Sequence, residues 1–261
     1  MAEVFAYGEG LVVKLDRPEW SGVSAFESEV LVKAAAAGLP VARSHGVVTI
    51  EGRSGVVLDR IEGTTLRAVL EVEPGEPELL VLAQQFVDLQ LEINHTQLEG
   101  LPDLVARLGQ ELPQSGLPDP LREELTELLR QLDDGRRGVC HFDFHPNNVL
   151  VSPEGWIVID WLTVAVGPPM ADLARTLVLR GDAAVPPMFE FMQDVRRHGL
   201  AGRDADEATC DAWVRVVAGA RLAEGFDGDY ADWLRELAVG NLRLFVKLKR
   251  RQTGVRPPRR A

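Results

Sequence analysis

The first sixty residues carry short apolar runs of the kind that form strands. Val4-Phe5-Ala6-Tyr7 and Leu11-Val12-Val13-Lys14-Leu15 flank Gly8-Glu9-Gly10, the pattern of two strands joined by a tight turn. Ser24 to Ala37 is rich in helix formers and stops at Gly38, a natural C-cap, with Pro40 blocking any continuation. Val47 to Ile50 and Val56 to Leu58 predict a second hairpin around Glu51 to Gly55. Beyond Gly63 the apolar spacing changes to that of helices, predicted near 64–72, 78–95, 119–132, 171–180, 187–198, 205–222 and 228–250. Pro- and Gly-containing breaks separate several of them, and there is no internal repeat or low-complexity segment. The layout predicts an α+β protein, with a small β-rich part followed by a larger helical one.

One loop interrupts this pattern with an unusual density of polar groups. His141-Phe142-Asp143-Phe144-His145-Pro146-Asn147-Asn148 lies between the apolar runs Val139-Cys140 and Val149-Leu150-Val151. Asp160-Trp161 then closes a further apolar strand that includes Trp156-Ile157-Val158-Ile159. An ordinary hairpin would turn on Asn-Gly or Asp-Gly. Phosphoryl transfer asks for a carboxylate to orient and deprotonate a hydroxyl, ligands for magnesium, and positive charge for the phosphate oxygens. Asp143 suits the first role, and Asn148 and Asp160 offer the hard oxygen ligands that magnesium prefers. A rival reading takes His141, Asp143 and His145 as ligands of one zinc or iron in a hydrolase or oxygenase. It leaves Asn148 and Asp160 without roles, and Pro146 turns the chain immediately after His145.

The motifs His141-x-Asp143-x-x-x-x-Asn148, Ile159-Asp160-Trp161 and Gly167-Pro168-Pro169-Met170-Ala171-Asp172 resemble those of the aminoglycoside phosphotransferase family, relatives of choline, homoserine and fructosamine kinases with a protein-kinase-like fold. The resemblance extends upstream through Val12-Val13-Lys14-Leu15 and Val57-Leu58-Asp59-Arg60-Ile61-Glu62-Gly63, and so covers most of residues 3–180. It implies two lobes, an N-terminal nucleotide-binding lobe over 1–61 ending in a hinge and a C-terminal helical lobe over 62–261. Asp143 is then the catalytic base, with Asn148 and Asp160 as magnesium ligands. Lys14 contacts the nucleotide phosphates and pairs with Glu27, or else with Glu29. The adenine rests against the hinge, where the backbone at Asp59 and Ile61 binds it. Asp172 and His141 become supports of the catalytic loop, and Trp161 points to a small-molecule acceptor. The chain departs from the family at its start. A further strand and a turn, often glycine-rich, ordinarily precede the strand that begins here near Val4. That implies a more open nucleotide site, a start codon further upstream, or a different segment over the phosphates.

Composition narrows the picture without deciding it. The 261 residues carry a net charge of −12, which argues against nucleic acid as a partner and suits a cationic acceptor such as an amino sugar or amino alcohol. Acids and aromatics that could line an acceptor site are Asp194, Glu224, Asp227, Asp229, Tyr230 and Trp233. The basic tail Lys247 to Arg251 and Arg256 to Arg260 reads as a helix end. Cys140 and Cys210, in apolar surroundings, read as buried thiols. No stretch approaches a membrane span and no signal peptide is evident, so the expected location is the cytoplasm. The reading is an ATP- and Mg2+-dependent O-phosphotransferase acting on a small-molecule hydroxyl. Its rival from another class is a catalytically silent kinase-like module that binds a nucleotide or a partner.

Overall fold

The computed structural model describes residues 3–18, 21–179 and 186–242. Its N-terminal part is a four-stranded antiparallel sheet of β1 (Glu3–Ala6), β2 (Leu11–Leu15), β3 (Ser44–Ile50) and β4 (Arg53–Asp59), in the order β1-β2-β4-β3. β2 is therefore internal, with Lys14 opposite Val4 on one side and Val56 on the other. The helix α1 (Val23–Ala36) crosses this sheet. It ends as its sequence predicts: Gly38 takes φ +85°, and Leu39 N–H returns to the Ala34 carbonyl at 3.0 Å. β3 starts earlier than its apolar run suggests, because an irregularity between Ser44 and Val47 lets Ser44 pair with Leu58.

Past the sheet the chain is mainly helical. The stretch expected as one helix over 64–72 is instead a two-residue strand, β5 (Thr64–Thr65), and a short α2 (Leu66–Glu71). Thr65 makes the break, since its hydroxyl caps the Ala68 N–H at 3.2 Å. α3 (Glu76–His95) is the longest described helix. α4 (Leu104–Glu111), capped by Asp103, was not anticipated, and α5 (Asp119–Leu132) follows. Three further strand pairs form the platform of the polar loop. β6 (Gly138–Cys140) pairs with β9 (Ala165–Gly167), while β7 (Val149–Ser152) pairs with β5 and with β8 (Gly155–Val158). α6 (Pro169–Val178), α7 (Pro186–Ala201), α8 (Glu207–Arg221) and α9 (Gly228–Ala238) complete the described chain. α9 ends at Ala238, before Gly240 turns the backbone to φ +89°, and the 243–250 part of the helix expected over 228–250 lies outside the described residues. The basic tail lies outside the described residues.

Most of the buried apolar side chains form one core. Phe86 lies against Phe144 and Phe191, with ring centroids 4.4 and 5.5 Å away, and joins α3 and α7 to the polar loop. Val30, Leu31 and Ala34 of α1 belong to this same core, whereas the sheet keeps a small cluster of its own around Val13, Leu15 and Val57. A second seam joins the two parts, where Val158 N–H donates to the Pro40 carbonyl at 2.8 Å.

Candidate active site

The polar loop leaves β6 through a strained residue. Phe142 has φ +60°, a conformation that a bulky side chain holds only when its surroundings impose it. Both of its backbone groups are held from α6. Asp172 Oδ1 accepts the Phe142 N–H at 2.8 Å, and Arg175 Nε donates to the Phe142 carbonyl at 3.1 Å. The fully buried Phe142 ring contacts the guanidinium groups of Arg107 and Arg175, whose centres lie 5.2 and 5.0 Å from its centroid. Asp172 is itself anchored, accepting from Gln90 Nε2 at 3.1 Å and Asn94 Nδ2 at 2.9 Å. Arg203 donates to the oxygens of the same two carboxamides at 3.0 and 2.6 Å. None of Arg107, Arg175, Gln90, Asn94 or Arg203 is singled out by the sequence motifs.

His141 locks the loop to the strand that precedes Asp160. Its Nδ1 accepts from the Asp143 N–H at 3.3 Å, and its Nε2 donates to the Ile159 carbonyl at 3.1 Å. That pair of bonds needs the neutral ring with its proton on Nε2. Burial acts the same way and lowers the imidazole pKa. With both nitrogens engaged by backbone, His141 is no metal ligand. Among the described residues no group of three or more His, Cys, Asp or Glu side chains is placed to hold a metal ion.

Asp143, immediately after the strained residue, keeps its side chain partly exposed at 25%. Burial would raise its carboxyl, but His145, with Nε2 3.7 Å from Oδ2, and the Arg175 guanidinium hold it well below the usual carboxylate range. Asn148 donates from Nδ2 to both the carbonyl and Oδ2 of Asp143, each at 2.9 Å. The atom left to Asn148 for any other partner is its carbonyl oxygen.

Lys14 reaches this loop region from the sheet. Its Nζ lies 2.7 Å from Glu27 Oε1 and 2.9 Å from Asp160 Oδ1, which closes a contact between residues 146 apart in sequence. Burial works against charge here, pushing the Glu27 carboxyl up and opposing the Lys14 ammonium. The two carboxylates facing Lys14, Glu27 before Asp160, outweigh it and raise the lysine pKa. α1 also packs against the turn Trp161–Thr163 that follows Asp160. Glu29 points elsewhere and pairs with Lys33 at 2.6 Å. Asp160 sits at φ +64° and is 38% exposed.

The remaining sequence candidates are more scattered. Asp59 ends β4, with its carboxylate 2.6 Å from His45 Nε2 and its N–H on the Arg43 carbonyl, and Ile61 lies just beyond. Gly63 passes so close to β7 that a Cβ would stand 2.6 Å from the Val151 carbonyl. On the helical side, Glu224 is committed to Arg175 at 2.8 Å and Arg221 at 3.0 Å. Arg221 also stacks on Phe226 and donates to the Tyr230 hydroxyl, and Trp233 stacks on Tyr230 at 5.6 Å. Asp194 pairs with Arg197, and Asp227 and Asp229 are exposed.

The family model described as the phosphotransferase enzyme family matches residues 4–213. The chain belongs to that family. No curated protein sequence matches it. Among solved structures it is similar to an aminoglycoside-3'-phosphotransferase of type VIII, at 22% identity and TM-score 0.59 over 84% of this chain and 93% of that one. It is also similar to the amicoumacin kinase hAmiN in complex with AMP-PNP, Ca2+ and Ami, at 15% identity and TM-score 0.59 over 94% and 88%. A choline/ethanolamine kinase family protein from Mesorhizobium loti aligns at 18% identity and TM-score 0.57 over 94% and 85%. These likenesses show that this phosphotransferase has the protein-kinase-like α+β fold, and membership of the family supports a small-molecule kinase. None of the described helices is long and apolar enough to cross a membrane.

Proposed function

We propose that the protein is a kinase that transfers the terminal phosphoryl group of ATP to a hydroxyl of a small molecule, with magnesium as the metal. The observation that carries this reading is Lys14, which contacts Glu27 and Asp160 together beside the hydrogen-bonded pair Asp143 and Asn148. Residues 1–61 then form the nucleotide lobe, with the hinge backbone at Asp59 and Ile61 against the adenine, and residues 62–261 form the acceptor lobe. Asn148, through its carbonyl oxygen, and Asp160, through its carboxylate, fit magnesium because both offer hard oxygen donors. The ion would neutralise charge on the phosphate oxygens. Lys14, fixed by Glu27, adds a second positive charge against them.

Asp143 orients the acceptor hydroxyl. As the acceptor oxygen bonds to the terminal phosphorus, the bond to the bridging oxygen breaks, ADP leaves, and the hydroxyl proton passes to Asp143. A carboxylate held well below its usual range is a weak base. That suffices where the transition state is loose and the proton leaves late. The complexes of hAmiN with AMP-PNP, Ca2+ and Ami, and of an aminoglycoside phosphotransferase from Streptomyces rimosus with ADP and streptomycin, support this class of reaction. Amino sugars and amino alcohols are the first acceptors to test, with Asp227 and Asp229 as the exposed carboxylates for an ammonium group. The protein is assigned to the cytoplasm on this reading.

The test is thermal unfolding with Mg-ATP. Ligand at about a hundred times its dissociation constant adds about 2.7 kcal/mol, a rise of roughly 5–10 °C for a chain of this size. The rise should vanish in Asp160→Asn and persist in Asp143→Ala, whose turnover should fall by a factor on the order of 10²–10⁴. No magnesium-dependent rise in the wild type would refute the reading. A rise with no phosphoryl transfer to any acceptor in a broad screen would favour the silent module.

A further inference from the structure

We propose that Asp16 is a positioning residue that holds α1 at the height where Glu27 meets Lys14. The inference rests on Lys14 being the phosphate-contacting lysine proposed above. Asp16 follows β2, and its N–H extends the ladder by donating to the Ser54 carbonyl at 2.8 Å. Two residues after Lys14, it presents its side chain on the same face of the sheet, toward α1. The side chain is buried, with the residue only 4% exposed. Asp16 Oδ2 accepts from the Gly22 N–H at 2.9 Å and the Ser24 N–H at 3.3 Å, and Oδ1 accepts from the Ser24 hydroxyl. Arg53 Nε donates to the Asp16 backbone carbonyl at 2.9 Å, which ties the residue's backbone to the neighbouring strand.

The geometry of α1 explains why an outside carboxylate is needed. Its N-cap is Gly22, at φ 92°, with no side chain to offer the exposed N–H groups of the first turn. Asp16 supplies the missing acceptor from the end of β2, at the helix end that favours negative charge. Ser24 and Glu27 are three residues apart, on one buried face of α1. One strand face thus makes two polar attachments to one helix face, Asp16 to Ser24 and Lys14 to Glu27. The apolar contacts of Val30, Leu31 and Ala34 lie further along the helix, and such contacts are non-directional. They hold α1 onto the core without setting its register against β2. Removing Asp16 should therefore release the turn just before Glu27 and act on nucleotide binding through Lys14.

A double-mutant cycle on the full chain tests this, reading the Mg-ATP dissociation constant of wild type, Asp16→Ala, Lys14→Ala and the double variant. Loss of Asp16 should weaken binding about tenfold when Lys14 is present, the scale of one charge-assisted contact, and by less than about twofold when it is absent. Equal losses in the two backgrounds would overturn the proposal, because a merely structural role is blind to Lys14. A second arm needs no nucleotide: labelling of Lys14 by an amine-acylating reagent, followed by mass spectrometry, should speed up several-fold in Asp16→Ala as Glu27 withdraws. Unchanged labelling in the folded variant would overturn it too. If Asp16→Ala does not fold, Ser24→Ala removes one attachment and carries both arms. A wild type that binds no Mg-ATP would refute the kinase reading, while the labelling arm would still decide the role of Asp16.

Discussion

His141 shows how burial fixes the chemistry of a single residue. One ring nitrogen accepts from Asp143 and the other donates to Ile159, so a second proton would break the bond that positions Asp143. The folded imidazole pKa is lowered by burial, whereas the unfolded chain restores it to about 6.5. Protons then favour the unfolded chain. The contribution of His141 to stability is complete above about pH 6.5 and is lost as the pH falls through the window beneath it. Urea unfolding between about pH 7 and pH 5 should show a wild-type midpoint that falls more steeply than that of His141→Asn. Parallel slopes would show that His141 is not the neutral, buried group the geometry requires.

At the scale of elements, the loop that carries Asp143 depends on a buried polar network spanning α3, α6 and the turn after α7. Asp172 and Arg203 carry opposite charges but meet only through Gln90 and Asn94, which give one their amide nitrogens and the other their oxygens. Burial lowers the Arg203 guanidinium to about 10, still charged at neutral pH. Arg203→Met would leave Asp172 without its counter-cation and two carboxamide oxygens without donors. The expected loss is about 3–5 kcal/mol in chemical denaturation. Arg203→Lys should recover little of it, because the planar fork also reaches the Pro169 and Gly199 carbonyls. A loss under about 1 kcal/mol would mean the network is not what holds Asp172, and through it Phe142.

For the molecule as a whole, the sheet and the helical part are proposed lobes with different tasks, but the sheet has only a minor core of its own. The sheet's own cluster is small, while α1 is buried in the core of the helical part. The Pro40 to Val158 bond and the Lys14 to Asp160 ion pair add two more connections. Unfolding should therefore be a single cooperative event, with equal calorimetric and van't Hoff enthalpies. Two resolved transitions would show that the sheet holds together without the helical part.

Much of this was legible in the chain itself, for reasons that are local. Apolar runs and turn residues marked the strands of the N-terminal sheet, and Gly38 with Pro40 marked the end of α1, because backbone conformation there is set by neighbouring residues. The spacing of Asp143, Asn148 and Asp160 pointed to phosphoryl transfer, since the chemistry needs those groups on one loop and the next strand end. The sequence named Glu27 as the partner of Lys14 through its place before Gly38-Leu39-Pro40, with Glu29 as the alternative. The choice depends on which face α1 turns to β2, and the fold turns Glu27 inward and leaves Glu29 to Lys33. It gave no sign that Asp16, at the end of β2, caps the helix that follows, or that Arg175 and Arg203 brace the polar loop. The arginine contacts join residues 33 to 113 apart in the chain, and the Asp16 contacts, though only six to eight residues long, need the chain to fold back from β2 onto α1. Glu224 and Tyr230 read as open contacts for a cation, yet the fold surrounds them with Arg175 and Arg221. Residue types and spacing determined the chemistry available to this protein. Only tertiary packing decided which side chains support it, because burial and partner choice arise when distant elements meet.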